Sequence, residues 1–323
     1  DQAKTLVFLN VVSDSTTATA SQNILFSAQF GSNTELIISR DGASYGATVR
    51  YYLVEFAYGV NVQRGISSFA PGSYTNPAYT TKDIALNSSL NDYTKAIALV
   101  QARSALTRSD GDEMATVTAK LTDNNTLRLQ RLASNEPRNL KSVNMVWQVA
   151  EFTADASIKS GEVTIGISQL SNTGAISPAI PTGKVNKCIL LFSYRANRLV
   201  DGIEGYYKVR GTITNENTVT FTRNYQAGTA TTDVTIVWYI IELTDPVTTV
   251  QKDSTAIAVA SGSENAIISL SPGVDTTRAF PMFSVSGPAN ATNNTYDDET
   301  QFSSQRDSPR GIVYVPGTPG ELW

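Results

Sequence analysis

The sequence predicts an all-β protein built from tandem antiparallel sandwich units of about 92 residues, with incomplete units at both ends. Three observations predict it. A strand-like phrase ending in glutamate recurs, apolar residues alternate with a period of 2 and not 3.6, and clusters of Gly, Asn, Asp, Pro and Ser separate the runs.

The recurring phrase is TVRYYLVEF (48–56), VNMVWQVAEF (143–152) and VTIVWYIIEL (234–243), with Glu55, Glu151 and Glu242 spaced 96 and 91 residues apart. Other landmarks keep the step. KTLVFLN, KAIALVQ, KCILLFS and RAFPMFS begin at Lys4, Lys95, Lys187 and Arg278, at intervals of 91, 92 and 91. NTELIISR, NTLRLQR and NTVTFTR place Thr34, Thr126 and Thr218 at 92-residue steps, each followed by an arginine: Arg40, Arg131 and Arg223. VQRG (62–65), IKSG (158–161) and VQKD (250–253) follow the glutamate phrase each time. Repeats of this period define the architecture and are sought before any motif.

Each landmark reads as a strand. In NTVTFTR, Val219 and Phe221 fall on one face and Thr218, Thr220 and Thr222 on the other. VTIVWYIIEL is too short to cross a membrane, which takes about 20 apolar residues in a helix. Six or seven short strands per unit is the sequence form of an immunoglobulin-like antiparallel sandwich, with a jelly roll or small barrel as the alternative. If a unit opens at its VQRG strand and closes at its glutamate strand, the divisions are 1–58 (partial N-terminal β unit), 59–154 and 155–245 (complete β-sandwich repeats), and 246–323 (partial C-terminal β unit and tail). The first stretch lacks the VQRG half and the last is expected to lack a glutamate strand. An incomplete sandwich exposes strand edges that invite pairing with another chain.

Composition narrows the functional classes. The net charge of -4 and a pI near 5.0 give no basic face for nucleic acid. A hydrophobic fraction of 41% with 17% charged residues describes a folded, weakly charged chain. The single cysteine, Cys188, lies in the apolar run KCILLF and reads as a buried small hydrophobe. The chain starts at Asp1 without an initiator Met or signal peptide, which reads as processing or truncation. A secreted, surface or virion setting fits the polar, Thr-rich composition.

The motifs carry little chemistry. GASYG (42–46) fits the nucleophile elbow, but the chain has no histidine to serve as base, so it reads as a turn. PTGKV (181–185) fails the phosphate-loop pattern, with Pro178 and Val185 at two required positions. SDGDE and NNTYDDE gather hard oxygen ligands, making Asp110, Asp112 and Glu113, and Asp297, Asp298 and Glu299, weak calcium candidates against a reading as solvated loops. Zinc lacks its usual ligands, and no cofactor is expected. Glycosylation sequons stand at Asn87, Asn124, Asn290 and Asn293, a number that chance supplies in so Asn-, Ser- and Thr-rich a chain. Tyr45, Tyr51, Tyr52, Tyr58, Tyr74 and Tyr79 crowd one region and would suit a glycan platform or simply half-buried strand faces.

The recurring charges belong to the strand ends. By parity Glu55, Glu151 and Glu242 share the core face with Tyr51, Trp147 and Trp238, which are expected in the core. A buried lone carboxylate is costly, so each glutamate should meet a partner at the sandwich rim. Lys4, Lys95 and Lys187, or Arg40, Arg131 and Arg223, are the candidates; the alternative is a snorkelling glutamate with none.

In repeat length, strand rhythm and composition the units resemble the immunoglobulin-like β-sandwich repeats of bacterial and archaeal surface proteins, fibrous adhesins and phage fibres. The resemblance implies a non-enzymatic structural subunit of an extracellular filament or virion. Its partners would be further copies head to tail, or other structural subunits. The other reading is a carbohydrate-binding adhesin or phage receptor-binding stalk with a surface glycan as partner. Neither nucleic acid nor a membrane span is expected.

Overall fold

The computed structural model describes residues 1–13, 25–42, 46–73, 75–106, 112–131, 139–198, 207–223, 232–245 and 248–252. It also describes residues 270, 271, 273, 279, 281, 282, 284 and 312–314. The chain is all-β, and every strand pairing among the described residues is antiparallel.

The first block holds β1 (Thr5–Ser13), β2 (Ser27–Ser32), β3 (Glu35–Ser39) and β4 (Ala47–Glu55). The second holds β5 (Val60–Phe69), β6 (Gly72–Ser73), β7 (Thr81–Ala85), β8 (Ala96–Arg103), β9 (Val117–Leu121), β10 (Thr126–Arg131), β11 (Asn139–Leu140) and β12 (Val143–Phe152). The third holds β13 (Ala156–Ile165), β14 (Ser171–Ala175), β15 (Cys188–Ala196), β16 (Arg210–Asn215), β17 (Thr218–Thr222) and β18 (Val234–Leu243). β19 (Thr249–Gln251) and β20 (Ile312–Tyr314) belong to the last stretch.

The second and third blocks have the same strand order. Three-stranded sheets β5-β12-β8 and β13-β18-β15 put the glutamate strand at the centre, and β7-β10-β9 and β14-β17-β16 put the NT strand at the centre. Among the described residues the first block has the pairs β1-β4 and β2-β3. Among the described residues no strand pairs with β4 or β3 in the places that β5 and β7 hold beside the glutamate strand and the NT strand of the second block. The landmark lysines close 3-10 turns, Gln2–Lys4, Tyr93–Lys95 and Val185–Lys187, that lead into β1, β8 and β15.

Alternation is clean where one strand face meets the core: β10 and β17 bury every second residue. The glutamate strands β12 and β18 are buried on both faces, and so read as near-continuous apolar runs. In β18, Ile236, Trp238 and Ile240 pack into the third block's core, while Val237, Tyr239 and Ile241 join the cluster that contains Ala119 and Leu121 of β9. The outer face of one block's central sheet is thus covered by the block before it. Cys188 is buried as expected, and burial pushes its thiol up to about 11.

One expectation is modified at the C-terminal end. Ile312–Tyr314 pairs with Thr249–Gln251, as a closing strand pairs with a first strand in the second and third blocks. A short closing segment without a glutamate therefore stands in that place.

Candidate functional site

The glycine of the VQRG and IKSG landmarks is explained by its opposite number. Gly65 pairs with Trp147 and Gly161 with Trp238. A Cβ on Gly65 would stand 2.5 Å from Cζ2 of Trp147, and one on Gly161 would stand 2.4 Å from Cζ2 of Trp238. Each indole lies against the first strand's backbone, and only glycine leaves room for it. Trp147 and Trp238 are in the core as expected.

Tyr51 occupies the same position on β4, and there the expectation of a core residue fails. Tyr51 is 55% exposed and Leu53 46%. The reason is topological: among the described residues β4 pairs only with β1, and no described strand covers its core face as β5 and β13 cover those of β12 and β18. What remains is a small cluster of Val7, Leu9 and Ala28, with Phe26, Phe30, Leu36, Ile38 and Val49 half-buried around it. An exposed apolar face on a strand paired along one edge is chemically suited to adding a strand.

The rim charges find partners other than those expected. Glu55 takes the Asp1 ammonium at 2.8 Å, with both groups exposed. Glu151, buried, accepts from the Asp92 backbone N–H at 2.9 Å and Asn91 Nδ2 at 3.2 Å. Glu242, also buried, pairs with Lys159 Nζ at 2.9 Å, and Lys159 donates further to Ser157 Oγ at 2.7 Å. Lys159 is the lysine of IKSG, on the neighbouring strand. Lys4 and Lys187 instead reach carbonyls just beyond the glutamate strand: Ala57 for Lys4, and Asp245 and Thr248 for Lys187. Lys95 stands 3.9 Å from Asp92 in an exposed contact.

The arginines lie at the other end of the sandwich. Buried Arg131 donates to the carbonyls of Tyr79, Ala70 and Lys141, and burial lowers its pKa to about 10. Buried Arg223 donates to Gln169, Gly166 and Thr232. Each guanidinium thus ties the link between first and second strands to the NT strand, using the fork of donors that lysine lacks. Arg40 is half-buried and stacks over Phe26 at 5.6 Å.

Between blocks the same backbone-to-side-chain bond occurs three times. The amide of Ala28 on β2 donates to Gln101 Oε1 at 2.8 Å, that of Ala119 on β9 to Ser193 Oγ at 3.0 Å, and that of Gly211 on β16 to Ser284 Oγ at 3.3 Å. The donors are 91 and 92 residues apart and the acceptors 92 and 91. Beside them, Gln148 accepts from and donates to Val7 backbone at 2.9 Å, and Tyr239 hydroxyl contacts Ala119 O and Leu121 N at 3.3 Å. These side chains occupy equivalent positions on β12 and β18, one past each tryptophan. They satisfy amides at a sheet edge that would otherwise be buried unpaired.

Sequence reading missed these acceptors, although their signal was present. Gln101, Ser193 and Ser284 each stand six residues after the landmark cation, a polar residue closing an apolar run. Of the weak calcium candidates, Glu113 is buried, and Asp110, Asp297, Asp298 and Glu299 lie outside the described residues. Among the described residues no group of three or more acidic or metal-ligating side chains is assembled. Asn87 is exposed and Asn124 half-buried, its Oδ1 accepting from the Tyr93 amide; Asn290 and Asn293 lie outside the described residues. Tyr58 is 67% exposed, Tyr52 and Tyr79 are half-buried, and Tyr45 and Tyr74 lie outside the described residues. No described helix is long and apolar enough to cross a membrane. Comparison with known protein families, curated proteins and solved structures returns no match.

Proposed function

We propose that this chain is a non-enzymatic structural subunit of an extracellular filament or virion. In this reading it is a tandem array of immunoglobulin-like sandwiches of about 92 residues that assembles by strand complementation at its open N-terminal unit. The observation that carries the reading is the exposed core face of β4, with Tyr51 and Leu53 bare where Trp147 and Val149 are covered. The thrice-used bond between blocks supports the array, because contacts made mostly between neighbours suit a linear repeat. The partner is a further copy, head to tail. Negative-stain imaging and sedimentation of the purified chain test this: ordered filaments or concentration-dependent oligomers are expected, and isolated short rods at all concentrations overturn it.

A second reading, a carbohydrate-binding adhesin or receptor-binding stalk, draws on the exposure of Tyr51 and Tyr58. Aromatic faces of this kind stack on sugars. A glycan array with no binder removes it.

A further inference from the structure

The third block is entered and left at one corner. β13 begins at Ala156, opposite Leu243 at the end of β18, and the Thr244 amide donates to the Asp155 carbonyl just outside the ladder. A pull along the chain therefore enters through Asp155, leaves through Thr244, and parts β13 from β18 one rung at a time from this end. Rungs loaded singly are weak, because each breaks before the next bears load. What stands at the first rungs decides how readily the block opens.

Those rungs hold a buried ion pair. Glu242 lies opposite Ser157, and Lys159, two residues further along β13, reaches back to it at 2.9 Å. The two side chains are 3% and 9% exposed. Beyond them the facing inward residues are uncharged: Gly161, Val163 and Ile165 against Trp238, Ile236 and Val234. The strands part past this point only once the ammonium and the carboxylate have separated.

The second block uses the same positions differently. Gln63 lies opposite Val149 as Lys159 lies opposite Ile240, and it exchanges hydrogen bonds with the Ser88 backbone at 2.8 and 2.9 Å. Glu151 accepts from Asp92 N and Asn91 Nδ2. Both ties run to the stretch 88–92, between β7 and β8. Of the two blocks, it is the third that carries a charge pair across the strands that tension separates.

We propose that Lys159 and Glu242 form a kinetic latch, which sets the rate at which the third block opens under load while adding little to its equilibrium stability. The physical reason is the order of events. In the unfolded chain both charges are hydrated, so the cost of burying them offsets most of their attraction and the equilibrium gain is small. At the first parting of the strands the charges are already apart and water has yet to enter. Their attraction, strong in a medium of low dielectric, is then lost with nothing in exchange. An apolar pair has no charge to separate and lacks that barrier. The load is the one a structural subunit bears and so rests on the reading above, whereas the latch itself is read on a single molecule.

The test holds the full chain in an optical trap at constant force, tethered through Ala57→Cys and Thr244→Cys, exposed positions that bracket the second and third blocks. Native Cys188 is buried and stays unlabelled. Replacing the pair by Lys159→Met with Glu242→Leu is expected to raise the opening rate of one of the two blocks by about tenfold or more, since forced opening follows the unfolding rate, while the urea midpoint moves little. The neutral pair Lys159→Gln with Glu242→Gln gives the same measurement if the apolar pair does not fold. Equal opening rates with and without the pair overturn the latch. So does a faster opening matched by an equal loss of equilibrium stability, which would make the pair an ordinary stabilising contact. A chain that forms no filaments yet opens faster without the pair keeps the latch and loses the assembly reading.

Discussion

Gly161 lies directly against the indole of Trp238, its α-carbon so close that an added methyl group would come within 2.4 Å of Cζ2. Buried aromatic and bare backbone specify each other, and the same relation holds between Gly65 and Trp147.

Gly161→Ala should therefore destabilise the chain by about 1–3 kcal/mol, the usual cost of overpacking a rigid core. Urea denaturation checks it, with Gly183→Ala serving as a comparison of a different kind, because that glycine has open space but a φ of +76°. An unchanged midpoint for Gly161→Ala would mean that the ring shifts freely.

The buried pair Lys159–Glu242 yields an asymmetric expectation. Lys159→Met leaves an uncompensated carboxylate and should cost about 3–5 kcal/mol, whereas Lys159→Met with Glu242→Leu should recover most of it, because the desolvation cost disappears with the second charge. Equal losses in the single and double variants would count against this account. Glu151→Gln should cost less than Lys159→Met, since the amide keeps one acceptor for Asp92 N or Asn91.

Removing the hydroxyl in Tyr239→Phe strands the Ala119 carbonyl and Leu121 amide at the junction. A loss of about 1–3 kcal/mol is expected, the cost of buried backbone groups left unpaired. Ser193→Ala removes the neighbouring acceptor, and a double-mutant cycle should show the two coupled, because they serve one edge strand. Strict additivity would indicate that the junction is not one unit.

Burial raises the Cys188 thiol from 9.0 to about 11. The sign follows from linkage: the unfolded chain loses this proton first, so the stabilisation is full below pH 9 and is lost as pH rises towards 11. Wild type and Cys188→Ala should therefore diverge in melting temperature between pH 9 and 11, with the variant falling less. Cys188 should also resist thiol reagents until the protein unfolds. Prompt labelling of the native protein would contradict its burial.

The strands were legible in the sequence because their signals are local. Alternation in TVTFT, the turn residues between runs and the 91–92-residue step of Lys4, Lys95 and Lys187 needed no tertiary information. That Glu55, Glu151 and Glu242 share a face with Tyr51, Trp147 and Trp238 followed from parity. Their partners did not, because Lys159 and the Asp92 amide come from separate stretches that only the sheet and its turns bring together. Trp147 and Tyr51 hold the same place in the phrase, yet one is buried and the other 55% exposed. That difference depends on whether a neighbouring strand is present, which no local pattern encodes.

The sequence by itself determined the antiparallel β class, the spacing of its landmarks and the alternation of faces along each strand, since side-chain period and turn chemistry act over a few residues. Only the tertiary structure decided which glycine covers which tryptophan and which side chains tie one block's edge to the next block's outer face. Those depend on pairing between segments distant along the chain, where register and packing, rather than local preference, set the energy.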